Sequence, residues 1–241
     1  YLPMADVHSN LLALQSVTAD ALQLGGFDAI WLLGDVVGYG PAPNECIALL
    51  SNYPLVCVAG NHDSGVLGHV PLDRFNHDAA EACLWTRRRL AASSTRFLSG
   101  LPVRLRVGDF VLVHGSPRDP LWEYVTTSPQ ARMLAPWCER RHALAGHTHR
   151  PLAACMNTFS TSQNPDLSEC SSVKLDERLL INPGSVGQPR DGDPRAAYGL
   201  LDTTAGIVSF HRVPYDVSAV SDTMRLAGLP VALAKRLHVG Y

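Results

Sequence analysis

Asp6, Asp35, Asn61, His114 and His147 each close a short apolar run, at 2–5, 29–33, 55–59, 110–113 and 143–145, some through an intervening glycine. His8 and His149 follow two residues after Asp6 and His147. These seven residues offer imidazole nitrogen, carboxylate oxygen and amide oxygen, and no thiolate. Such a set suits manganese, iron, zinc or nickel, and is not that of a structural zinc site. Two divalent ions would bring +4 against −2 from Asp6 and Asp35 and −1 from a bridging hydroxide. The remaining positive charge favours an anionic substrate such as a phosphate ester. Two such ions about 3.5–4 Å apart acidify a shared water and clamp the attacking and leaving oxygens of a displacement.

The runs that carry these residues are the length of strands, and helical patterns fall between them. Leu11, Leu14, Val17, Ala21 and Leu24 keep a helical spacing, with Ser9 or Asn10 as N-cap and Gly25-Gly26 as the stop. Helices are also predicted at 44–50, 79–92 and 128–139, the second with a solvated basic face at Arg87 to Arg89. Strands are predicted at 179–181, 197–201 and 207–213, and short amphipathic helices at 219–226 and 232–237. The Ser-, Thr- and Asn-rich stretch 157–172 reads as an irregular loop. Ligands of open α/β sheets sit outside the carboxyl ends of strands. Five neighbouring runs ending in ligand residues would therefore converge. The expected architecture is one α/β domain over 1–241, with two sheets packed face to face and helices outside.

Bulk properties agree with a globular chain: 241 residues, 46% hydrophobic and 17% charged, with a net charge of −2. A general grip on nucleic acid needs a basic surface, so a nucleic-acid partner is not expected. No apolar stretch has the length of a membrane span. The six cysteines, Cys46, Cys57, Cys83, Cys138, Cys155 and Cys170, form no C-x-x-C pair and are expected as reduced, buried thiols of a cytoplasmic protein. No secretory signal is visible, although the chain opens at Tyr1 in what reads as the end of a strand, as if a few residues preceded it. Oligomeric state is not readable here.

Asp6-Val7-His8-Ser9-Asn10, Gly34-Asp35, Gly60-Asn61-His62-Asp63, Val113-His114-Gly115 and Gly146-His147-Thr148-His149 resemble, in order, the five motifs of the calcineurin-like metallophosphoesterases. That resemblance implies a four-layer α-β-β-α sandwich of two mixed sheets and two divalent ions, manganese first, with iron, zinc, nickel or magnesium as alternatives. It places Asp6, His8, Asp35 and His149 on one ion, and Asp35, Asn61, His114 and His147 on the other, so that Asp35 bridges. His62 would be the general acid beside the leaving group, with a metal-bridging hydroxide as nucleophile.

Gly38-Tyr39-Gly40-Pro41, His114-Gly115-Ser116-Pro117 and the 182–190 stretch Asn-Pro-Gly-Ser-Val-Gly-Gln-Pro-Arg resemble the small prokaryotic phosphodiesterases of that superfamily. A small phosphate diester is the expected substrate. A phosphomonoesterase or dinucleoside-polyphosphate hydrolase is the alternative, and a non-catalytic scaffold is disfavoured by the presence of His62. Serine/threonine phosphatases of this superfamily carry an Asp-Arg where Gly38-Tyr39 stands, which removes the Asp that orients their catalytic His. Asp63 is the candidate replacement, or else a turn or helix-cap residue.

Candidate substrate contacts are Asn10, Tyr39, Asn182, Ser185 and Arg190. Asn10 reads equally as a helix N-cap. The segment 182–187 reads either as a tight turn or as a loop whose Gly-Ser N–H groups cradle an anion. Arg190 could grip phosphate, or pair with Asp191 or Asp193. His69, His77, His142, His211 and His238 have no motif support and are taken as structural.

Overall fold

The computed structural model describes residues 1–157, 167 and 171–241. The chain runs β1 (Leu2–Met4), α1 (Leu11–Gln23), β2 (Ile30–Leu32), α2 (Pro43–Leu50), β3 (Leu55–Cys57), α3 (Asn61–Leu67), α4 (His77–Arg89) and α5 (Ala92–Ser99). It continues through β4 (Arg104–Val107), β5 (Phe110–Val113), α6 (Ser128–Met133), β6 (His142–Leu144), β7 (Pro151–Cys155), β8 (Ser172–Lys174), β9 (Leu179–Pro183), β10 (Ala196–Asp202), β11 (Ile207–Val213), α7 (Val217–Leu226) and α8 (Val231–Val239).

β1, β2 and β3 pair in parallel, in that order. β10, β11 and β8 form an antiparallel set. Tyr1 and Leu201 exchange hydrogen bonds of 2.9 and 3.0 Å, which join this set to the β1 edge. The second sheet runs β4-β5-β6-β9-β7, with β5, β6 and β9 parallel and the two outer strands antiparallel.

Alternation along each strand builds the layers, because successive side chains point to opposite faces. Trp31, Leu33, Phe110, Leu112, Leu144, Ala153, Leu179 and Ile181 meet between the sheets. Leu2, Met4, Ile30 and Leu32 face outward onto Ala13, Leu14, Val17 and Ala21 of α1. Val111, Val113, Ala143, Ala154 and Leu180 face the other way, onto Ala131 and Leu134 of the α6 layer. The expected α-β-β-α sandwich is thus observed. Each fully buried Leu or Phe in these layers contributes about 1.5–3 kcal/mol relative to exposure. Among the described residues no helix is long and apolar enough to cross a membrane.

Two predicted helices are broken. The one at 79–92 ends at Arg89, because Leu90 and Ala91 are extended. Asn44 holds that break, donating to Arg89 O at 2.9 Å and accepting from Ala91 N at 2.9 Å. The one at 128–139 ends at Met133 and gives way to a 3₁₀ turn at Ala135–Trp137, where Pro136 has no N–H to continue the ladder. Arg87 is not simply solvated: it donates to Val66 O and Gly65 O at the end of α3. Most of the 157–172 loop (158–166 and 168–170) lies outside the described residues. Cys46, Cys57, Cys83 and Cys138 are buried free thiols, and Cys155 is buried.

Candidate metal centre

β1, β2 and β3 lead into Asp6, Asp35 and Asn61, and β5 and β6 lead into His114 and His147. Both sheets therefore deliver ligand-type residues to one edge of the sandwich. The backbone there is folded tightly. Asp6, His8, Asp35, His147 and His149 all have φ between +48° and +66°, a region that costs an L-residue about 1–3 kcal/mol each. Long-range bonds hold these turns, including Asp6 N to Gly34 O (3.1 Å), His8 N to Asp35 O (3.0 Å) and Gly146 N to His114 O (2.8 Å). Gly60 is required by close approach, since a Cβ there would lie 2.0 Å from Asp35 Oδ1. That same oxygen accepts the His62 N–H at 2.8 Å.

Backbone carbonyls settle which nitrogens face the centre. His8 Nδ1 bonds Val37 O (3.2 Å), His114 Nδ1 bonds Leu33 O (2.9 Å) and His149 Nδ1 bonds Gln188 O (2.5 Å). A carbonyl only accepts, so each Nδ1 carries the proton and each neutral ring turns a lone pair inward from Nε2. His8 Nε2 lies 3.1 Å from His149 Nε2 and 3.5 Å from Asp35 Oδ2. His149 Nε2 lies 3.7 Å from Asp6 Oδ1. His114 Nε2 lies 3.0 Å from Asn61 Oδ1, 3.0 Å from His147 Nδ1 and 3.3 Å from Asp35 Oδ2.

Two overlapping clusters result, Asp6/His8/Asp35/His149 and Asp35/His114/His147, with Asn61 beside the second. Asp6 Oδ2, Asp35 Oδ2 and His147 Nε2 are buried without a hydrogen-bond partner. Lone pairs crowded at these distances repel unless a cation lies among them. The donor set therefore fits two divalent ions sharing Asp35.

Without ions, protons take up part of that role. Burial alone would raise Asp35, but His114, His62 and His8 outweigh it and hold its carboxyl well below the usual range. Burial would lower His114, but Asp35 and Asp6 outweigh it and lift the imidazole to about 9. Burial pushes Asp6 up to about 7 and drives His8, His147 and His149 well below 6.5.

A pocket opens beside the clusters, and His62, Tyr39 and Arg190 line it together with Asp35, Asn61, His147 and His149. Arg190 does not pair with its acidic neighbours. Its Nη2 reaches Gln188 Oε1 (2.9 Å) and Tyr39 OH (3.3 Å), while Arg212 takes Asp191 and Arg195 takes Asp193. Three proposed substrate contacts lie elsewhere. Asn10 caps α1 through Ala13 N (3.2 Å) and donates to Gly187 O (2.9 Å). Asn182 donates to Gly146 O (2.6 Å) and Thr148 Oγ1 (3.0 Å), bracing the turn that bears His147 and His149. Ser185 donates to Asp6 O (3.0 Å) and accepts from Gln188 N (2.9 Å). All three are buried and absent from the pocket wall, and their polar atoms are used in positioning.

Asp63 does not orient His62. Its carboxylate accepts from Gly60 N (2.9 Å) and Val37 N (3.1 Å), so it caps α3 and ties down the loop after Asp35. The neighbour of His62 Nδ1 is Cys83 Sγ at 3.5 Å, on α4. Sequence reading missed that pairing, and also missed Arg74, Phe75, Trp122 and Tyr124 on the pocket wall. No spacing rule connects these residues to the ligands. The only local trace is the alternation of Trp122 and Tyr124 shortly after His114.

Residues 2–206 match the calcineurin-like phosphoesterase superfamily domain. An uncharacterized protein of Methanocaldococcus jannaschii is 35% identical over 244 residues, covering 98% of this chain and 96% of that one. The crystal structure of a metallophosphoesterase from Sphaerobacter thermophilus is 40% identical, with a TM-score of 0.89 over 100% of this chain and 98% of that one. A hypothetical protein from Pyrococcus horikoshii, 21% identical, shares the fold with a TM-score of 0.81 over 100% of this chain and 98% of its own.

Proposed function

The chain belongs to the calcineurin-like phosphoesterase superfamily, and from that premise we propose that it hydrolyses small phosphodiesters with two divalent ions, manganese first among the candidates. One observation carries the reading. Asp35 Oδ2, buried and without a hydrogen-bond partner, stands between His8 Nε2 at 3.5 Å and His114 Nε2 at 3.3 Å, as a bridging carboxylate must. Asp6, His8 and His149 would complete one ion's ligands, and Asn61, His114 and His147 the other's. When bound, such ions acidify a water and draw charge from the phosphoryl oxygens.

The chain's own residues supply the rest. Arg190 stands at the pocket wall, where its guanidinium can meet phosphoryl oxygens as charge builds in the transition state. His62 serves the leaving oxygen. Burial, chiefly, pushes its imidazole down to about 4, so in the empty pocket it is neutral near pH 7. Burial also pushes the Cys83 thiol up, so it keeps its proton and can donate it to His62 Nδ1. The ring's own hydrogen would then sit on Nε2, from which it could bond the leaving oxygen. An anionic ester in the pocket favours uptake of a second proton from water; Nδ1–H then donates to Cys83 Sγ, and Nε2 passes its proton to the leaving oxygen, returning the ring to neutral.

A matrix of manganese, nickel, iron, zinc and magnesium against mono-, di- and pyrophosphate esters tests the reading. Turnover of diesters above the other classes is expected. Metal-loaded protein that turns over none of them would sink it, and a preference for monoesters or pyrophosphates would replace the substrate.

A further inference from the structure

We propose that the pocket beside the ligand cluster takes phosphate esters bearing a planar aromatic ring of nucleobase size, which stacks on Trp122 and Tyr124. This rests on the phosphoesterase reading and narrows its substrate. Trp122 and Tyr124 belong to none of the four hydrophobic cores formed among the described residues, and Tyr124 is 50% exposed. Trp122 is half-buried, and both rings line the pocket.

Both rings are presented by a fixed loop. Asp119 Oδ1 accepts from Leu121 N and Trp122 N at 3.2 Å each. Pro120 O accepts from His114 N at 3.1 Å, which ties the loop to a ligand-bearing turn. Tyr124 stacks on His147 with centroids 4.1 Å apart and planes at 27°. Trp122 meets Phe75 edge-on at 5.1 Å, and Phe75 meets His62 in the same way at 5.1 Å. Trp122 is thus linked through Phe75 to His62, and Tyr124 directly to His147.

Cationic groups flank it. Arg74, exposed, lies 4.0 Å over one face of the Trp122 ring, and Arg190, half-buried, lies 5.7 Å over Tyr39; both line the pocket. Phosphate at the floor with a ring against the wall matches this order of groups. The net charge of −2 favours a small ester over a polymer.

The test uses metal-loaded protein and a matched pair of non-hydrolysable ligands, the 5′-methylenephosphonates of adenosine and of ribose, with affinities read by calorimetry. Base–aromatic stacking changes affinity by about 5- to 150-fold. The adenosine compound is therefore expected to bind about tenfold or more tightly than the ribose compound. Tyr124→Leu and Trp122→Leu are each expected to reduce that ratio at least about threefold, the ratio itself cancelling any loss common to both ligands.

A wild-type ratio below about twofold, or a ratio that survives both substitutions together, overturns the aromatic subsite. Those results leave the phosphoesterase reading standing if esters are still turned over. Failure to bind either phosphonate, with no ester hydrolysed, overturns both.

Discussion

Two histidines flank the core of β6, one opening the strand and one shortly past it, and they sit in opposite kinds of place. His142 opens the strand. It stacks on Phe110 with centroids 5.1 Å apart and accepts the Leu179 N–H at 3.3 Å. His147 stands three residues beyond the strand's other end, at φ +66°, with Nδ1 3.0 Å from His114 Nε2. Burial, as the largest cause, pushes both imidazoles down, His142 to about 4 and His147 well below 6.5. Desolvation therefore does not distinguish a ligand from a packing residue. Convergence does. At the carboxyl edge, strands of both sheets end on the same spot and four histidines share it with two carboxylates. At the amino edge, His142 meets one ring and one N–H.

Substitution at the two edges should separate them most sharply. Asp35→Asn is expected to lower occupancy of both metals and to cut ester turnover by about 10³-fold or more, the scale of losing several kcal/mol of charge stabilisation. His142→Gln is expected to retain two ions per chain by elemental analysis. Full occupancy in Asp35→Asn would break the bridging assignment, and metal loss in His142→Gln would erase the contrast between the edges.

His62→Ala sharpens the chemistry at the carboxyl edge. Esters with alkoxide leaving groups should slow by about 10²–10⁴-fold and nitrophenyl esters by far less. Equal losses on both would show that His62 is not an acid.

Chelation should lower the melting temperature by about 5–15 °C, because ions that bind only the folded chain stabilise it by about 3–4 kcal/mol at 100 to 1,000 times Kd. Asp35→Asn should show little of that shift. An unchanged melting temperature in wild type would argue against ions filling the cluster.

The smallest effect belongs to the amino edge. The folded-state pKa of His142 lies below its unfolded value of about 6.5, so the unfolded chain binds more protons between about pH 4 and 6.5. His142 therefore costs nothing above pH 6.5, and stability is lost as pH falls through that window, by about 1–2 kcal/mol after allowance for water at the rim. Metal-loaded His142→Gln should lose less stability than wild type between pH 7 and 5 in urea titrations. Identical losses would remove the assigned shift.

Much of the candidate ligand set was legible because its signals are local. A run of strand length ending in Asp35 or His114, or a pair spaced as Asp6 and His8, declares itself within a few residues. The layers were legible for the same reason, since alternation at Phe110 to Val113 sorts those residues between two cores. Helix ends were less so. The break after Arg89 depends on Asn44, 45 residues earlier.

Asn182 and Ser185 look like anion-binding residues in the sequence, yet their polar atoms are committed to Gly146 O and Asp6 O, which only folding brings near. Asp63 was the candidate partner of His62 in the sequence, yet it caps α3, and Cys83 of another helix stands at His62 Nδ1. Residue type and short spacing thus determined which chemistry this chain can hold. Tertiary structure alone decided which side chains face the pocket and which brace it. The partners of His62, Asn182 and Ser185 lie 21, 36 and 179 residues away, and a hydrogen-bonding atom spent on a neighbouring loop is no longer available to a substrate.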